Sequence, residues 1–119
     1  MAATVALVTD LIFATKIRGT AEALGGSVRL VRDAAGLAAA LGEGGVRLVI
    51  VDLNADRLDV AAAVRAAKGA RDAPRVVAYF SHVQGGLAKA ALEAGADEVM
   101  ARSAFVERLA GLVSGEATR

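Results

Sequence analysis

The sequence predicts an α/β domain in which five strands alternate with five helices. Short apolar runs rich in valine alternate along the chain with alanine-rich stretches whose large apolar residues recur at helical spacing. This alternation produces a parallel sheet with right-handed crossovers and helices on both faces. Because 119 residues are the length of one domain, we expect a single domain over residues 1–119.

The strands are predicted where apolar residues run without the alternation typical of a half-exposed strand. The stretch Val49-Ile50-Val51 is the clearest case, since its β-branched residues indicate burial on both faces of the sheet. Val28 to Val31 alternates more, as a strand nearer the edge would. The predicted strands cover residues 4–8, 28–31, 46–51, 75–80 and 98–101.

The helices are predicted from spacing and from residues that begin or end a helix. Gly25-Gly26 and Gly95 end two of them, whereas Asp33 and Ser103 are expected to cap the starts of the second and last helices. The predicted helices cover residues 13–24, 57–68 and 87–94, a stretch after Asp33 that closes by residue 42, and a last stretch after Ser103.

Strand order follows from which runs are most apolar. The first, third and fourth runs are the most continuous, which favours central places for them in a flavodoxin-like, three-layer fold of order 2-1-3-4-5. In that order the carboxyl ends of strands 1 and 3 lie side by side at the topological switch point, where open α/β sheets bind their ligands.

Composition excludes several function classes. The net charge is +1 without any basic run, and aromatic residues make up 3 %, so we expect no nucleic-acid partner. No stretch approaches the roughly 18 apolar residues of a membrane span, and the first residues lack the pattern of a signal peptide. With no cysteine there is neither a disulfide nor a thiolate metal site, and we expect a cytoplasmic protein.

Polar residues follow four of the five predicted strands. Asp10 follows strand 1 and Asp52 ends strand 3, so these two carboxylates are expected to meet and either share a proton or hold a cation such as Mg²⁺. Ser81 and Arg102 follow strands 4 and 5 at the same edge. A hydroxyl and a cation beside two acids suit a transient anionic group on Asp52, which predicts phosphoryl chemistry on a carboxylate.

Other ligand classes fit the first βα loop poorly. Residues 10–16 contain no glycine, so neither a dinucleotide fingerprint nor a P-loop is present. The sequence has no Gly-x-Ser-x-Gly elbow, and no pairing of a base with a nucleophile is apparent, so we do not expect an autonomous enzyme. A small-ligand site in the same pocket remains a weaker alternative.

With these residues in place, the chain resembles the CheY-like receiver domains of bacterial two-component response regulators almost from end to end. The resemblance implies that Asp52 is the phosphoacceptor and that Mg²⁺ binds at Thr9-Asp10, Asp52 and the backbone carbonyl of Asn54. It also implies a switch role for Ser81 and assigns Arg102 to the position of the family's lysine. The stretch at residues 93–99, Glu-Ala-Gly-Ala-Asp-Glu-Val, resembles the family's passage from helix 4 to strand 5.

Departures from the family pattern imply a resemblance to an atypical or degenerate receiver. Thr9 replaces one acid of the family's pair, so Mg²⁺ should bind more weakly. Arg102 is bulkier than lysine and forked, and Val99 stands where the family has an aromatic switch residue.

Two functions therefore remain. One is a stand-alone receiver that takes a phosphoryl group from a sensor histidine kinase or another donor and contacts a downstream protein through helix 4, strand 5 and helix 5. The other is a pseudo-receiver, an interaction module that works without phosphorylation. The sequence leaves the oligomeric state open.

Each site residue also has a structural alternative. Asp52 could cap the turn after its strand, Asp10 could cap the first helix, and Arg102 could pair with either acid in place of a metal. Asn54 is expected to act mostly through its backbone, and Tyr79 is expected to belong to the sheet core.

Overall fold

The computed structural model describes residues 3–83 and 85–114, and over these residues it contains five strands and five helices. The strands are β1 (Thr4–Leu7), β2 (Val28–Val31), β3 (Leu48–Asp52), β4 (Arg75–Phe80) and β5 (Glu98–Ala101). The helices are α1 (Leu11–Ala23), α2 (Ala34–Gly42), α3 (Val60–Lys68), α4 (Leu87–Ala94) and α5 (Arg102–Val113).

The strands form one parallel sheet in the order β2-β1-β3-β4-β5, which confirms the predicted topology. β3 lies between β1 and β4, and its last residue, Asp52, is in register with Tyr79 of β4. Neighbouring parallel strands lie about 4.8 Å apart, and residues in register project from the same face. The topology therefore brings Asp52 and Tyr79 together on one face of the sheet.

Two apolar clusters cover the two faces of the sheet. On one face, strand residues pack with α1 and α5, whose buried side chains include Phe13, Ile17, Phe105 and Leu109. On the other face, alternate strand residues pack with α2, α3 and α4. β3 is thus buried on both sides, as its unbroken apolar run predicted.

Three helix starts differ from the prediction. α1 begins before residue 13 because the Asp10 carboxylate accepts hydrogen bonds from the N–H groups of Ile12 and Phe13. α3 begins only at Val60, since Arg57 has a positive φ of 56° and Asp59 caps the helix. Ser103 does not cap α5, because the helix already begins at Arg102.

Acidic residues at the start of β5 tie this edge strand to its surroundings. Glu98 accepts hydrogen bonds from Arg75 of β4 and Arg108 of α5. Asp97 accepts from the Val76 N–H at 2.8 Å and from Lys68 of α3 at 2.9 Å. These contacts connect the sheet to a helix on each face. No helix among the described residues is long and apolar enough to cross a bilayer.

We expect Glu98→Gln to lower the melting temperature at pH 7 by about 4 °C, because a neutral amide cannot satisfy two guanidinium groups. Hydrogen bonds from Arg108 outweigh the effect of burial and lower the pKa of Glu98 in the folded state. A lowered pKa gives stability that is complete above the ordinary carboxyl pKa and is lost as the pH falls through the lowered value.

The difference in melting temperature between the wild-type protein and Glu98→Gln should therefore shrink below about pH 4. Thermal unfolding followed by circular dichroism at pH 7 and pH 3 measures it. Glu93→Gln is the matched control. Glu93 and Lys89 are both exposed and their charged atoms are as far as 3.9 Å apart, so this ion pair contributes little to stability. A difference of unchanged size at pH 3 would contradict the charge-based explanation.

Candidate functional site

Asp52 is the centre of the candidate site. Its side chain is 5 % exposed at the carboxyl end of the central strand, and with Thr4 it is one of two buried polar residues in the described core. One carboxylate oxygen, Oδ1, accepts a hydrogen bond from the Asn54 N–H at 2.9 Å. Asp52 therefore does cap the turn after β3, but this single bond satisfies only part of a carboxylate.

Asp10 lies at the end of the loop after β1, as predicted. Its Oδ1 atom is used in capping α1, while its Oδ2 atom lies 3.6 Å from an Nη atom of Arg102. Asp10 therefore caps the first helix, and its second carboxylate oxygen, Oδ2, remains directed towards Arg102. Asp10 and Arg102 are each about half exposed, so water screens their attraction.

Arg102 begins α5 and reaches across to the ends of β1 and β4. The same Nη atom donates to the Ser81 hydroxyl at 3.3 Å, and the guanidinium lies 4.6 Å above the centre of the Phe13 ring. The predicted pairing of Arg102 with an acid is therefore observed with Asp10. In the described part of the chain no ion pair reaches Asp52.

The surroundings of Asp52 disfavour its charged form. Burial raises the pKa of this carboxyl, and the negative charge of Asp10 adds to the rise. The Asn54 N–H and the positive charge of Arg102 lower the pKa and only partly compensate. A bound cation or an added hydrogen-bond donor would therefore strongly stabilise the charged form of Asp52.

Asn54 acts through its side chain, which the sequence analysis did not predict. Its Oδ1 accepts from the backbone N–H of Ser81 at 2.7 Å and from that of His82 at 3.2 Å, and its Nδ2 donates to the His82 carbonyl at 3.2 Å. These three hydrogen bonds join the loop after β3 to the loop after β4. They fix Ser81 relative to Asp52.

Thr9 joins a third loop to the site. Its hydroxyl oxygen accepts from the Asp56 N–H at 3.1 Å, which ties the end of β1 to the loop before α3. The hydroxyl keeps a proton to donate and a second lone pair. Thr9 thus holds the loops together while leaving an uncharged oxygen where the family has a carboxylate.

Tyr79 lies in the sheet core, as predicted, and it also borders the site because it is in register with Asp52. Its ring is stacked on Phe105, with centroids 4.7 Å apart, and meets Phe13 edge-on at 5.1 Å. The three rings form a cluster that we call the aromatic platform, and Arg102 lies over its Phe13 ring. Tyr79 lies two residues before Ser81, and this spacing along a strand could have indicated that Tyr79 faces the same side of the sheet as Ser81.

The site offers oxygen donors suited to a hard divalent cation. The carboxylates of Asp10 and Asp52 lie close enough for the charge of Asp10 to raise the pKa of Asp52, and Mg²⁺ typically binds one or two carboxylates and keeps several waters. Among residues 3–83 and 85–114, no three histidine, cysteine or acidic side chains cluster as a ready metal cage. The donor set therefore fits Mg²⁺, with less negative charge than an acidic pair would give.

Apolar side chains are exposed around the site. Leu11 and Ile12, on the first turn of α1, are largely exposed, whereas Phe13 is buried. Beside the end of β4 lies a shallow apolar hollow of about 50 Å³, lined by Phe80, His82, Val83, Leu87 and Ala88. Exposed apolar groups of this kind are typical of contact surfaces.

Comparison with solved structures confirms the resemblance to receiver domains at the level of the fold. A two-component response regulator from Clostridium difficile is similar over 100 % of this chain and 98 % of its own, with a TM-score of 0.83 at 15 % identity. The receiver domain of NtrX from Brucella abortus is similar over 96 % of both chains, with a TM-score of 0.78 at 22 % identity.

A third similar structure holds a modified site. It is a response regulator from Burkholderia pseudomallei with a phosphorylated aspartic acid, a calcium ion and citrate, similar over 99 % of this chain and 74 % of its own, with a TM-score of 0.76 at 18 % identity. No family model matches the chain, and a comparison with curated proteins finds no match. The likeness at these identities shows the receiver fold.

We expect Asn54→Ala to destabilise the protein by about 2 kcal/mol, because it leaves the Ser81 and His82 backbone groups without their partner. Chemical denaturation measures the change. Asn54→Asp keeps an acceptor for both N–H groups but loses the donor and adds a negative charge near Asp52, so the two variants are compared in the Asp52→Asn background, where Asn54→Asp should cost less than Asn54→Ala at pH 7. Equal losses would show that the two accepted bonds contribute nothing.

Proposed function

We propose that this chain is a receiver-type signalling protein of the cytoplasm whose Asp52 accepts a phosphoryl group with the help of Mg²⁺. The observation that carries the proposal is the placement of Asp52: a buried, poorly compensated carboxylate at the switch point of a receiver fold, with Asp10, Ser81 and Arg102 at the same edge. The phosphorylated aspartic acid of the Burkholderia pseudomallei regulator supports it by analogy.

The chemistry is a displacement at phosphorus. A carboxylate oxygen of Asp52 attacks the phosphorus of the donor and forms a new O–P bond, while the bond from phosphorus to the leaving group breaks and the leaving group keeps the electron pair. With a small acyl phosphate the leaving group is a carboxylate. Hydrolysis of the resulting acyl phosphate by water would return Asp52 and release inorganic phosphate.

The residues around Asp52 fit the charges of this reaction. Arg102 and the Ser81 hydroxyl supply donors for the oxygens of the arriving phosphoryl group. When bound at Asp10, Asp52, Thr9 and the Asn54 carbonyl, Mg²⁺ would neutralise negative charge on the phosphoryl oxygens. The hydrogen bond from the Ser81 N–H to the Asn54 side chain joins the loops after β3 and β4 and keeps these groups close to Asp52.

We expect the purified protein, given acetyl phosphate and Mg²⁺, to gain one phosphoryl group, and we expect Asp52→Asn to abolish the gain. Intact-mass spectrometry detects the adduct directly. Asp56→Asn is the matched control, since Asp56 is an exposed acid on the same loop whose carboxylate has no part in the reaction. An adduct that persists in Asp52→Asn would contradict the assignment of the acceptor.

A second candidate is a pseudo-receiver that binds partners without phosphorylation. The ion pair between Arg102 and Asp10 favours it, because a guanidinium already compensates one of the two acids. In both candidates the partner is a protein, bound by the faces that expose apolar residues such as Ile12, Val83 and Leu92. Absence of an adduct under every metal condition would favour this second candidate.

We expect Thr9→Asp to tighten Mg²⁺ binding on the order of tenfold, because it restores a negative charge beside Asp10 and Asp52. Isothermal titration calorimetry measures the affinity. Thr9→Asn has nearly the same shape as Thr9→Asp but no charge, so it should leave the affinity close to that of the wild type. If both variants tightened binding equally, shape rather than charge would limit the metal site.

A further inference from the structure

Tyr79 carries a polar group that takes no part in the reaction proposed for Asp52. It is the single tyrosine of the chain, it is 0 % exposed, and its hydroxyl has no hydrogen-bond partner among the described residues. A buried hydroxyl without a partner costs free energy and is rare in folded proteins, so such a group needs a physical explanation.

The position of this hydroxyl is fixed by the aromatic platform. Phe105 is stacked on the ring and Phe13 meets it edge-on, so the ring cannot turn towards a distant acceptor. The register of β3 and β4 places Tyr79 beside Asp52 on the face covered by α1 and α5. Burial, and after it the negative charge of Asp52, raises the pKa of Tyr79, so the phenol keeps its proton and remains a donor.

Asp52 in turn has fewer hydrogen-bond donors than its carboxylate can accept. The Asn54 N–H reaches Oδ1, and Arg102 is engaged with Asp10 and Ser81. A carboxylate has room for about four hydrogen bonds, and a phenolic hydrogen rotates to suit its acceptor. The unpaired donor of Tyr79 and the undersupplied acceptor of Asp52 are therefore neighbours in one buried place.

We propose that Tyr79 is a positioning residue for Asp52: a small shift of the Asp52 carboxylate towards its neighbour lets the Tyr79 hydroxyl donate to it a hydrogen bond that the two groups do not make in the geometry described above. This bond holds the charged carboxylate in place and connects it through the ring to Phe105 of α5. A further consequence rests on the proposed function: phosphorylation turns the carboxylate into a weaker acceptor, so Tyr79 loses a charge-assisted bond and senses the state of Asp52.

A double-mutant cycle tests the hydrogen bond whether or not Asp52 is ever phosphorylated. Tyr79→Phe removes only the hydroxyl and keeps the ring in the aromatic platform. We expect it to lower the melting temperature by about 4 °C in the wild-type background and to have almost no effect in the Asp52→Ala background, which removes the acceptor oxygens. The Asp10→Asn background is the control, because it removes a nearby charge without removing the acceptor, and there the full loss should remain.

The opposite result is equally clear. If the hydroxyl makes no bond to Asp52, removing it relieves an unsatisfied buried group, and Tyr79→Phe should then be neutral or stabilising. A neutral or stabilising effect in the wild-type background would overturn the proposal. So would a loss of the same size in the wild-type and Asp52→Ala backgrounds.

The fluorescence intensity of Tyr79 gives a second test, because it would not depend on Asp52 if Tyr79 only packed in the core. The chain has one tyrosine and no tryptophan, so all its aromatic emission comes from Tyr79. A hydrogen bond to a carboxylate quenches tyrosine emission, so Asp52→Asn should raise it severalfold and Asp10→Asn should not. Equal emission from the wild type and Asp52→Asn would overturn the proposal.

The same signal separates this proposal from the proposed function. We expect emission to rise as acetyl phosphate and Mg²⁺ produce the phosphoryl adduct seen by mass. Coupling between Tyr79 and Asp52 in a protein that takes up no phosphoryl group would refute the proposed function and support the hydrogen bond. An adduct that forms without a change in emission would overturn the sensing role of Tyr79.

Discussion

The burial of one carboxylate at the end of β3 is the constraint on which the rest of this site depends. β3 is covered on both faces and lies between β1 and β4, so little water reaches Asp52. An ionised carboxylate in such a place must be compensated by donors or cations, or else take up a proton. The described residues provide one backbone N–H and an arginine at some distance, while Asp10 adds repulsion. Asp52 therefore has more to gain from a cation than an exposed acid of the chain has.

The pairing of Arg102 with Asp10 does not by itself close the site. The two groups are 3.6 Å apart and about half exposed, and exposed pairs of this kind contribute about 0–1 kcal/mol. The contact of the guanidinium with the Phe13 ring adds an amount of similar size. A divalent cation beside two carboxylates has a larger electrostatic interaction than either contact. The ion pair between Arg102 and Asp10 is therefore a weak contact.

The fold could be predicted from the sequence because unbroken apolar runs and helical spacing are local signals that this sheet obeys. The placement of Asp10, Asp52, Ser81 and Arg102 at one edge followed from strand order alone. The start of α3 could not be predicted, because it depends on the backbone of Arg57 and on the Asp59 cap. The side-chain bonds of Asn54 and the lone hydroxyl of Tyr79 depend on lateral register between strands, which the composition of a single strand does not reveal.

The two candidate functions share one fold and differ in whether the charge of Asp52 changes. Because Asp52 is buried, a partner protein senses such a change only through residues that connect it to the surface. One connection is Asn54, whose N–H contacts Asp52 and whose side chain holds the backbone of Ser81 and His82 next to the exposed Val83. Val99 is aliphatic, so β5 offers no aromatic ring at this position. A receiver function in this chain would therefore have to pass through the loop after β4 or through the aromatic platform to α5.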